Sequence, residues 1–310
     1  TVQPVATNIV NQAITVCPGA AISPAAFASV PVGSTFAWSN SNTNIGLGAN
    51  GTGNIPSWNA PVNNTNVPIV GTISVTPTYN GCVGTPSNFV VTINPTPSVT
   101  NVALAQAICS GAPTTAVTWT SGVGASTFAW TAVGSSGSVS GFSASGSGNL
   151  PVINGITNSS NTNQTITYTI TATQNGCRGP STQYVITVYP TPVLTLSANQ
   201  TVCGGSPTAL TSFSNSAAGG NFTWTLSNPG SVPGTITGYP NPSPQGSGQI
   251  PVSTINNGGT SPYTLSYQVT PTANSCNGTS APFTITVNPA PVTTFSFVNQ
   301  NICTGQNTVA

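Results

Sequence analysis

Apolar and polar residues alternate at every second position through several stretches of this chain. Thr165-Ile166-Thr167-Tyr168-Thr169-Ile170-Thr171 keeps the pattern for a whole strand length, and so does Tyr263-Thr264-Leu265-Ser266-Tyr267-Gln268-Val269. Shorter runs, Tyr184-Val185-Ile186-Thr187-Val188 and Phe283-Thr284-Ile285-Thr286-Val287, repeat it. A period of two sends one set of side chains to a buried face and the other to water, as in an antiparallel sheet wet on one side. The wet positions are mostly Thr, whose β-branched side chain suits a strand and needs no charge. Asn-Gly steps between the runs predict tight turns. The expected fold class is all-β, an antiparallel sandwich.

The pattern recurs at long period. Phe36-Ala37-Trp38, Phe128-Ala129-Trp130 and Phe222-Thr223-Trp224 stand 92 and 94 residues apart. Gly53-Asn54-Ile55-Pro56 returns as Gly148-Asn149-Leu150-Pro151 and Gly248-Gln249-Ile250-Pro251. Asn80-Gly81-Cys82 returns as Asn175-Gly176-Cys177 and, loosely, Asn274-Ser275-Cys276. Pro95-Thr96-Pro97, Pro190-Thr191-Pro192 and Pro289-Ala290-Pro291 close each round. The reading is repeat 1 at 1–95, repeat 2 at 96–190, repeat 3 at 191–289, and at 290–310 the opening strand of a fourth repeat or an inter-subunit strand. Cys303-Thr304-Gly305 matches Cys17-Pro18-Gly19, Cys109-Ser110-Gly111 and Cys203-Gly204-Gly205. A unit of about 95 residues is too long for a solenoid coil and fits a self-contained β-sandwich. Proline-stiffened joints make semi-rigid spacers, so an extended rod is expected.

Composition narrows the chemistry. The 310 residues hold no Asp, Glu, Lys or His, and the one ionic side chain is Arg178. At ordinary usage such a chain would carry roughly 75 charged residues. General acid–base catalysis draws on the missing types, and no Ser or Thr has a base to activate it. Calcium needs carboxylates, and zinc would need an all-Cys site. One Arg cannot neutralise a nucleic-acid backbone. No catalytic residue, metal ligand or cofactor is expected, and no nucleic acid. The 5 Trp, 7 Tyr and 10 Phe and a slightly positive mean hydropathy argue against disorder. No run reaches the roughly 18 apolar residues of a membrane span, and no signal segment opens the chain. The sequence reads as mature, or as cut from something longer.

The run Phe36-Ala37-Trp38-Ser39-Asn40-Ser41-Asn42, then Ile45-Gly46-Leu47, Gly51-Thr52-Gly53-Asn54-Ile55-Pro56, Ile73-Ser74-Val75-Thr76-Pro77-Thr78, Asn80-Gly81-Cys82-Val83-Gly84-Thr85-Pro86 and Phe89-Val90-Val91-Thr92-Ile93-Asn94-Pro95-Thr96-Pro97 resembles the PKD-like, immunoglobulin-like repeats of very large Bacteroidota cell-surface proteins. The resemblance covers all three full repeats. It implies an Ig-like sandwich used as a stalk module, in adhesin or gliding-type hosts exported by the type IX route. The acidic Gly-Asp-Gly turn of true PKD domains is replaced by Ser39-Asn40-Ser41-Asn42, so cation binding at that turn does not carry over.

Seven cysteines, Cys17, Cys82, Cys109, Cys177, Cys203, Cys276 and Cys303, give two per repeat and one in the fragment. In a secreted β protein they are disulfide candidates. Pairing within repeats is the favoured expectation: Cys17–Cys82, Cys109–Cys177, Cys203–Cys276. In an Ig sandwich, however, those positions fall at opposite ends, and pairing between neighbouring repeats would avoid the conflict. Trp38, Trp130 and Trp224 are expected in the core, since Phe two residues earlier shares their face. Trp58 and Trp119 do not recur in every repeat, which makes them better candidates for surface or contact roles. Asn-x-Ser/Thr sequons occur at Asn50, Asn63, Asn158, Asn163, Asn199, Asn221 and Asn277, a weak motif in so Asn-rich a chain. Arg178 reads as a solvated turn residue.

The functional expectation is a structural, non-enzymatic extracellular protein forming a stalk or filament, by self-association or by continuation into further repeats. The alternative is an adhesin recognising a glycan or another surface ligand. Residues 292–310 are expected to be completed by something outside the chain, because a lone strand exposes unpaired backbone.

Overall fold

The computed structural model describes residues 12–293 apart from 228, 243 and 244, together with 7, 8, 295 and 304. It is all-β. Two three-residue 3₁₀ turns, Thr43–Ile45 and Pro229–Ser231, are the helical elements among the described residues. Cys303 and most of 292–310 lie outside the described residues.

The chain divides into two compact units, Thr1–Tyr189 and Pro190–Ala310. The first holds repeats 1 and 2. Repeat 1 is built on β1 (Ala13–Val16), β2 (Thr35–Asn40), β3 (Asn50–Thr52), β4 (Ile69–Tyr79) and β5 (Ser87–Ile93), in sheet order β1-β5-β4-β2-β3. Repeat 2 rebuilds this with β6 (Ala105–Cys109), β7 (Thr127–Gly134), β8 (Ser145–Ser147), β9 (Gln164–Gln174) and β10 (Cys177–Tyr189), ordered β6-β10-β9-β7-β8. In the second unit, repeat 3 uses β11 (Gln200–Cys203), β12 (Asn221–Leu226), β13 (Gly246–Ser247), β14 (Tyr263–Ala273) and β15 (Ala281–Asn288), ordered β11-β15-β14-β12-β13. The opening strand of each repeat pairs in parallel with the closing one: Val16 lies beside Ile93, Ile108 beside Val188, and Val202 beside Val287. The other pairings in these sheets are antiparallel.

The long strands follow the alternation in the sequence. Along β4, Gly71, Ile73, Val75 and Pro77 are buried, while Thr72, Ser74 and Thr76 between them are half-buried. A second, fragmentary layer covers the inner face. It is made of two-residue pairs and bridges such as Ala21–Ile22 with Trp58–Asn59 and Val117 with Leu150, because the Gly-, Pro- and Asn-rich segments there cannot sustain longer strands. Each repeat buries its own core. Ile22, Ile45, Ile73, Phe89 and Ile93 fill the first. Trp119, Trp130, Tyr168, Tyr184 and Ile186 fill the second. Phe213, Trp224, Tyr267, Phe283 and Val287 fill the third. Burying each such side chain fully stabilises its sandwich by roughly 1.5–3 kcal/mol.

The sandwiches exchange volume between facing positions. Asn40, Ala132 and Leu226 face Ile73, Tyr168 and Tyr267 across the register. Small Ala132 makes room for Tyr168, whose ring lies 5.3 Å from Trp130 and 6.4 Å from Tyr184.

Candidate functional site

Cys17 follows the end of β1, and Cys177 opens β10 directly after the β9–β10 hairpin. They form a disulfide with Cα atoms 5.4 Å apart. The bond joins repeat 1 to repeat 2 and overturns the expected pairing within repeats. Cys109 and Cys276, the counterparts of Cys17 and Cys177 in the following repeats, are also disulfide-bonded, whereas Cys82 and Cys203 are free thiols. The register explains why Cys17 cannot reach Cys82. Val16 lies beside Ile93 at the far end of β5, eleven residues beyond Cys82. At about 3.3 Å per strand residue the two cysteines are roughly 30 Å apart, against the 4.4–6.8 Å a disulfide spans.

The trailing cysteines share one local geometry. Cys82, Cys177 and Cys276 pair with Tyr79, Gln174 and Ala273 across a two-residue turn. The turns Asn80-Gly81 and Asn175-Gly176 have φ of 49° and 81°, and 50° and 78°. Positive φ at both central residues is the type I′ signature that matches strand twist. Repeat 3 places Ser275 in this conformation at φ 62°. Burial separates the three cysteines: Cys177 and Cys276 are each 2% exposed, and Cys82 is half-exposed.

A second recurring constellation locks the edge strand. Trp38 faces Gly51, Trp130 faces Gly146, and Trp224 faces Gly246. A Cβ on any of these glycines would fall inside the indole ring opposite. The next glycine turns the chain, with φ of 71°, 74° and 73° at Gly53, Gly148 and Gly248. Its N–H donates to the carbonyl of Phe36, Phe128 or Phe222 at 2.9 Å. The following amide accepts from the other layer: Asn54 Oδ1 from Phe27 N at 2.8 Å, Asn149 Oδ1 from Trp119 N at 3.0 Å, and Gln249 Oε1 from Phe213 N at 2.9 Å. The Gly-x-Gly-Asn-Ile-Pro motif is therefore a clamp between the layers.

Trp130 and Trp224 are buried, and Trp38 is half-buried. Their three indole Nε1 groups are enclosed without a hydrogen-bond acceptor among the described residues. Trp119 corrects the surface reading given above. At 4% exposure it is a core residue, packed edge-on to Tyr184 at 5.5 Å. It does recur, as Phe27 and Phe213, but with a change of residue type that hid the match. Trp58 is half-buried, and its Nε1 donates to Ile45 O at 2.8 Å.

Two sequons are structural. Asn63, 1% exposed, donates to the carbonyls of Val67 and Ile93 at 2.9 and 3.0 Å, and its Oδ1 accepts from Thr65 N and Oγ1. Asn158 repeats this with Thr162, Val188 and Ser160. Asn257 repeats it with Ser261, Val287 and Gly259, without the hydroxyl. The Asn ties a loop to the closing strand, and the Ser or Thr two residues on closes the Asx turn. A side chain committed in this way is unavailable to a glycosylating enzyme. Asn50, Asn163, Asn199, Asn221 and Asn277 are exposed.

Arg178 lies in β10 and not in a turn, opposite Thr173 beside a register shift. It is exposed, and its Nη2 lies 3.4 Å from Thr171 Oγ1. A cavity of about 410 Å³ lined by Trp130, Thr131, Thr169, Thr171, Arg178 and Ser181, among others, surrounds it. Burial pushes the Tyr168 phenol up to about 12, with the nearby Tyr184 adding to the shift. Burial also raises Tyr184, partly offset by a hydrogen bond with Gln106. Burial, and then Tyr239, raise Tyr267, whose hydroxyl donates to Pro240 O at 3.0 Å. Among the described residues no group of His, Cys, Asp and Glu could hold a metal ion, and no helix is long and apolar enough to cross a membrane.

A family model for the PKD-like domain matches the chain three times, at residues 14–97, 106–192 and 200–291. No curated protein matches it. Solved structures similar to it include mouse cadherin-23 EC22–24, at 14% identity and a TM-score of 0.41, covering 94% of this chain and 100% of that one. Titin domains I67–I69, in an E-to-A variant, give 8% identity and 0.47 over 94% and 100%. Mouse protocadherin-24 EC1–3 gives 12% and 0.40 over 91% and 98%.

Proposed function

Because the chain belongs to the PKD-like domain family, we propose that it is a non-enzymatic structural protein, a load-bearing segment of an extracellular stalk or filament at a cell surface. One observation carries this reading: a covalent bond that ties successive sandwiches together. The Cys17–Cys177 bond spans a separation of 160 residues, so tension applied at the chain ends bypasses residues 18–176. At about 3.4 Å per extended residue the bond withholds on the order of 500 Å of chain from extension. Each repeat keeps its own core, and the bond adds a limit on length that neither core supplies. Disulfides persist in oxidising, extracellular settings. A surface with one ionic group offers little repulsion to lateral association, which suits a bundled or polymeric fibre.

Stretching single molecules from end to end tests the proposal. The oxidised chain should stop short of full length, and reductant should release about 500 Å or more of further extension. Equal lengths with and without reductant would refute the load-bearing role.

A second reading, adhesion to a glycan or surface ligand, is supported by the cavity that Arg178 lines together with Thr131, Thr169, Thr171 and Ser181, where its guanidinium lies beside Thr171 Oγ1. Binding of carboxylated glycans that vanishes in Arg178→Ala would favour it.

A further inference from the structure

The cysteines follow one rule of position. The bonded ones are the leading cysteines of repeats 1 and 2, Cys17 and Cys109, and the trailing cysteines of repeats 2 and 3, Cys177 and Cys276. The free ones are the trailing cysteine of repeat 1, Cys82, and the leading cysteine of repeat 3, Cys203. In the Cys17–Cys177 bond a leading cysteine reaches the trailing cysteine of the next repeat. Under that rule Cys82 wants a repeat before it and Cys203 a repeat after it.

Local structure agrees. Cys82 sits in the same hairpin register as Cys177, after the same Asn-Gly turn. Cys203 ends a strand paired in parallel with the closing strand, and Cys109 ends the equivalent strand in repeat 2. Both free thiols are accessible: Cys82 is half-exposed and Cys203 exposed, while bonded Cys177 is 2% exposed.

We propose that Cys82 and Cys203 are the two open halves of inter-repeat disulfides. Cys203 takes the trailing cysteine of a PKD-like repeat set after repeat 3, and Cys82 takes the leading cysteine of one set before repeat 1. The partner is a thiol in the hairpin or strand-end geometry described above, carried by a second copy of this chain or by a further repeat on the same polypeptide. Bond formation is a two-electron oxidation. The two thiols lose two protons and two electrons to a small-molecule disulfide, which leaves as two thiols, and one S–S bond replaces another. This deepens the stalk reading and rests on it, since it makes the array covalently continuous.

The test has two arms, both with Cys303→Ser to silence that thiol and with oxidised glutathione as oxidant. In the first, Cys82→Ser chains are mixed with Cys203→Ser chains. The expected product is a heterodimer joined from Cys203 of one to Cys82 of the other, exceeding the dimer from either variant alone by at least about tenfold, because docking raises the effective concentration of the correct pair. In the second, residues 96–190 are repeated after residue 289, with Cys109 of the added copy replaced by serine. Peptide mapping should find Cys203 bonded to the added copy's trailing cysteine. Either bond supports the proposal and identifies the source of the partner. If Cys82 and Cys203 stay alkylatable in both arms, or if each variant dimerises alone as readily as in the mixture, the proposal is overturned. A failed stalk reading gives a different result: the staples form, but reductant leaves the stretched length unchanged.

Discussion

Repeats 1 and 2 share a frame and differ in filling. Both have the same five-strand path through the main sheet, the tryptophan laid on an edge glycine, the buried loop asparagine and the cysteine after an Asn-Gly turn. In repeat 1 the tryptophan is half-buried, the facing strand offers Ile73, and the trailing cysteine is a free thiol. In repeat 2 Trp130 is buried against Tyr168, Tyr184 closes an aromatic cluster, and the trailing cysteine is bonded and covered. The shared features are those that fix backbone geometry. The differing ones are volumes that can be traded across a core and a thiol whose fate depends on a neighbour.

The largest test of this division strikes the shared clamp. Gly146→Ala puts a methyl group into the Trp130 ring, which is held by Tyr168 at 5.3 Å and cannot swing away. A loss of about 3 kcal/mol is expected, at the upper end for overpacking. Gly51→Ala makes the same intrusion on half-buried Trp38, where the ring has solvent to yield into, and should cost about half as much. Denaturant unfolding followed by tryptophan fluorescence measures both. Equal losses would show that burial of the ring does not set the cost.

Next in size is the loop asparagine. Asn158→Ala strands the carbonyls of Thr162 and Val188 and the N–H of Ser160, and Asn63→Ala strands the equivalent groups in repeat 1. Each should cost about 2 kcal/mol, the penalty for buried polar groups left unpaired. Unlike the glycine pair, the two should match, because this device is the same in both repeats. Glycan found on Asn63 or Asn158 of the folded protein would contradict the structural role.

What the sequence made legible follows the same division. Alternation along 165–171 and 263–269 marked strands because apolar residues there alternate with Thr, Ser and Gln. The apolar set Ile166, Tyr168, Ile170, Leu265, Tyr267 and Val269 is buried, although Thr171 at the end of the first run is buried too. The Phe-x-Trp and Gly-Asn-Ile-Pro recurrences marked the repeat because backbone-determining residues recur in kind. Trp119 was misread because its counterparts are Phe27 and Phe213: the core position is shared but the residue filling it is not. Asn63 and Asn158 carried only a weak sequon match, and their structural role was hidden because an Asx turn closed by Ser or Thr has the same spelling as a sequon. Cysteine pairing was legible in part. Reading the repeat as an Ig sandwich puts its two cysteines at opposite ends and offers pairing between neighbouring repeats, but spacing alone favoured the pair within a repeat. The parallel pairing of Val16 with Ile93 and the Cys17–Cys177 bond decide for pairing between repeats.

A smaller, stabilising effect is available in repeat 3, where Ser275 holds φ at 62° in a turn that repeats 1 and 2 close with glycine. A left-handed conformation costs an ordinary residue roughly 1–2 kcal/mol, and glycine gives back part of this through its looser unfolded state. Ser275→Gly should raise stability by about 1 kcal/mol, and Gly176→Ser in repeat 2 should lower it by a similar amount. Thermal melts of the two variants, moving in opposite directions, would bring the turns of the two repeats into line.

The smallest effect expected is that of pH. No carboxylate or imidazole side chain exists to titrate between about 4 and 8, so the melting temperature should stay flat there and respond little to salt. The first decline belongs to tyrosine. Burial raises Tyr168 to about 12 in the folded state, above the value of about 10 for the unfolded chain. A group whose folded pKa is raised contributes stability that is complete below the unfolded pKa and is lost as pH climbs toward the folded one. The window is therefore about pH 10 to 12. Tyr267 in repeat 3 is raised for the same cause, while repeat 1 carries Ile73 and Phe89 at the positions of Tyr168 and Tyr184. Hydrogen exchange across this window should open repeats 2 and 3 before repeat 1, and Tyr168→Phe should delay the opening of repeat 2. If repeat 1 opened first, the buried phenols would not be the origin of the alkaline limb.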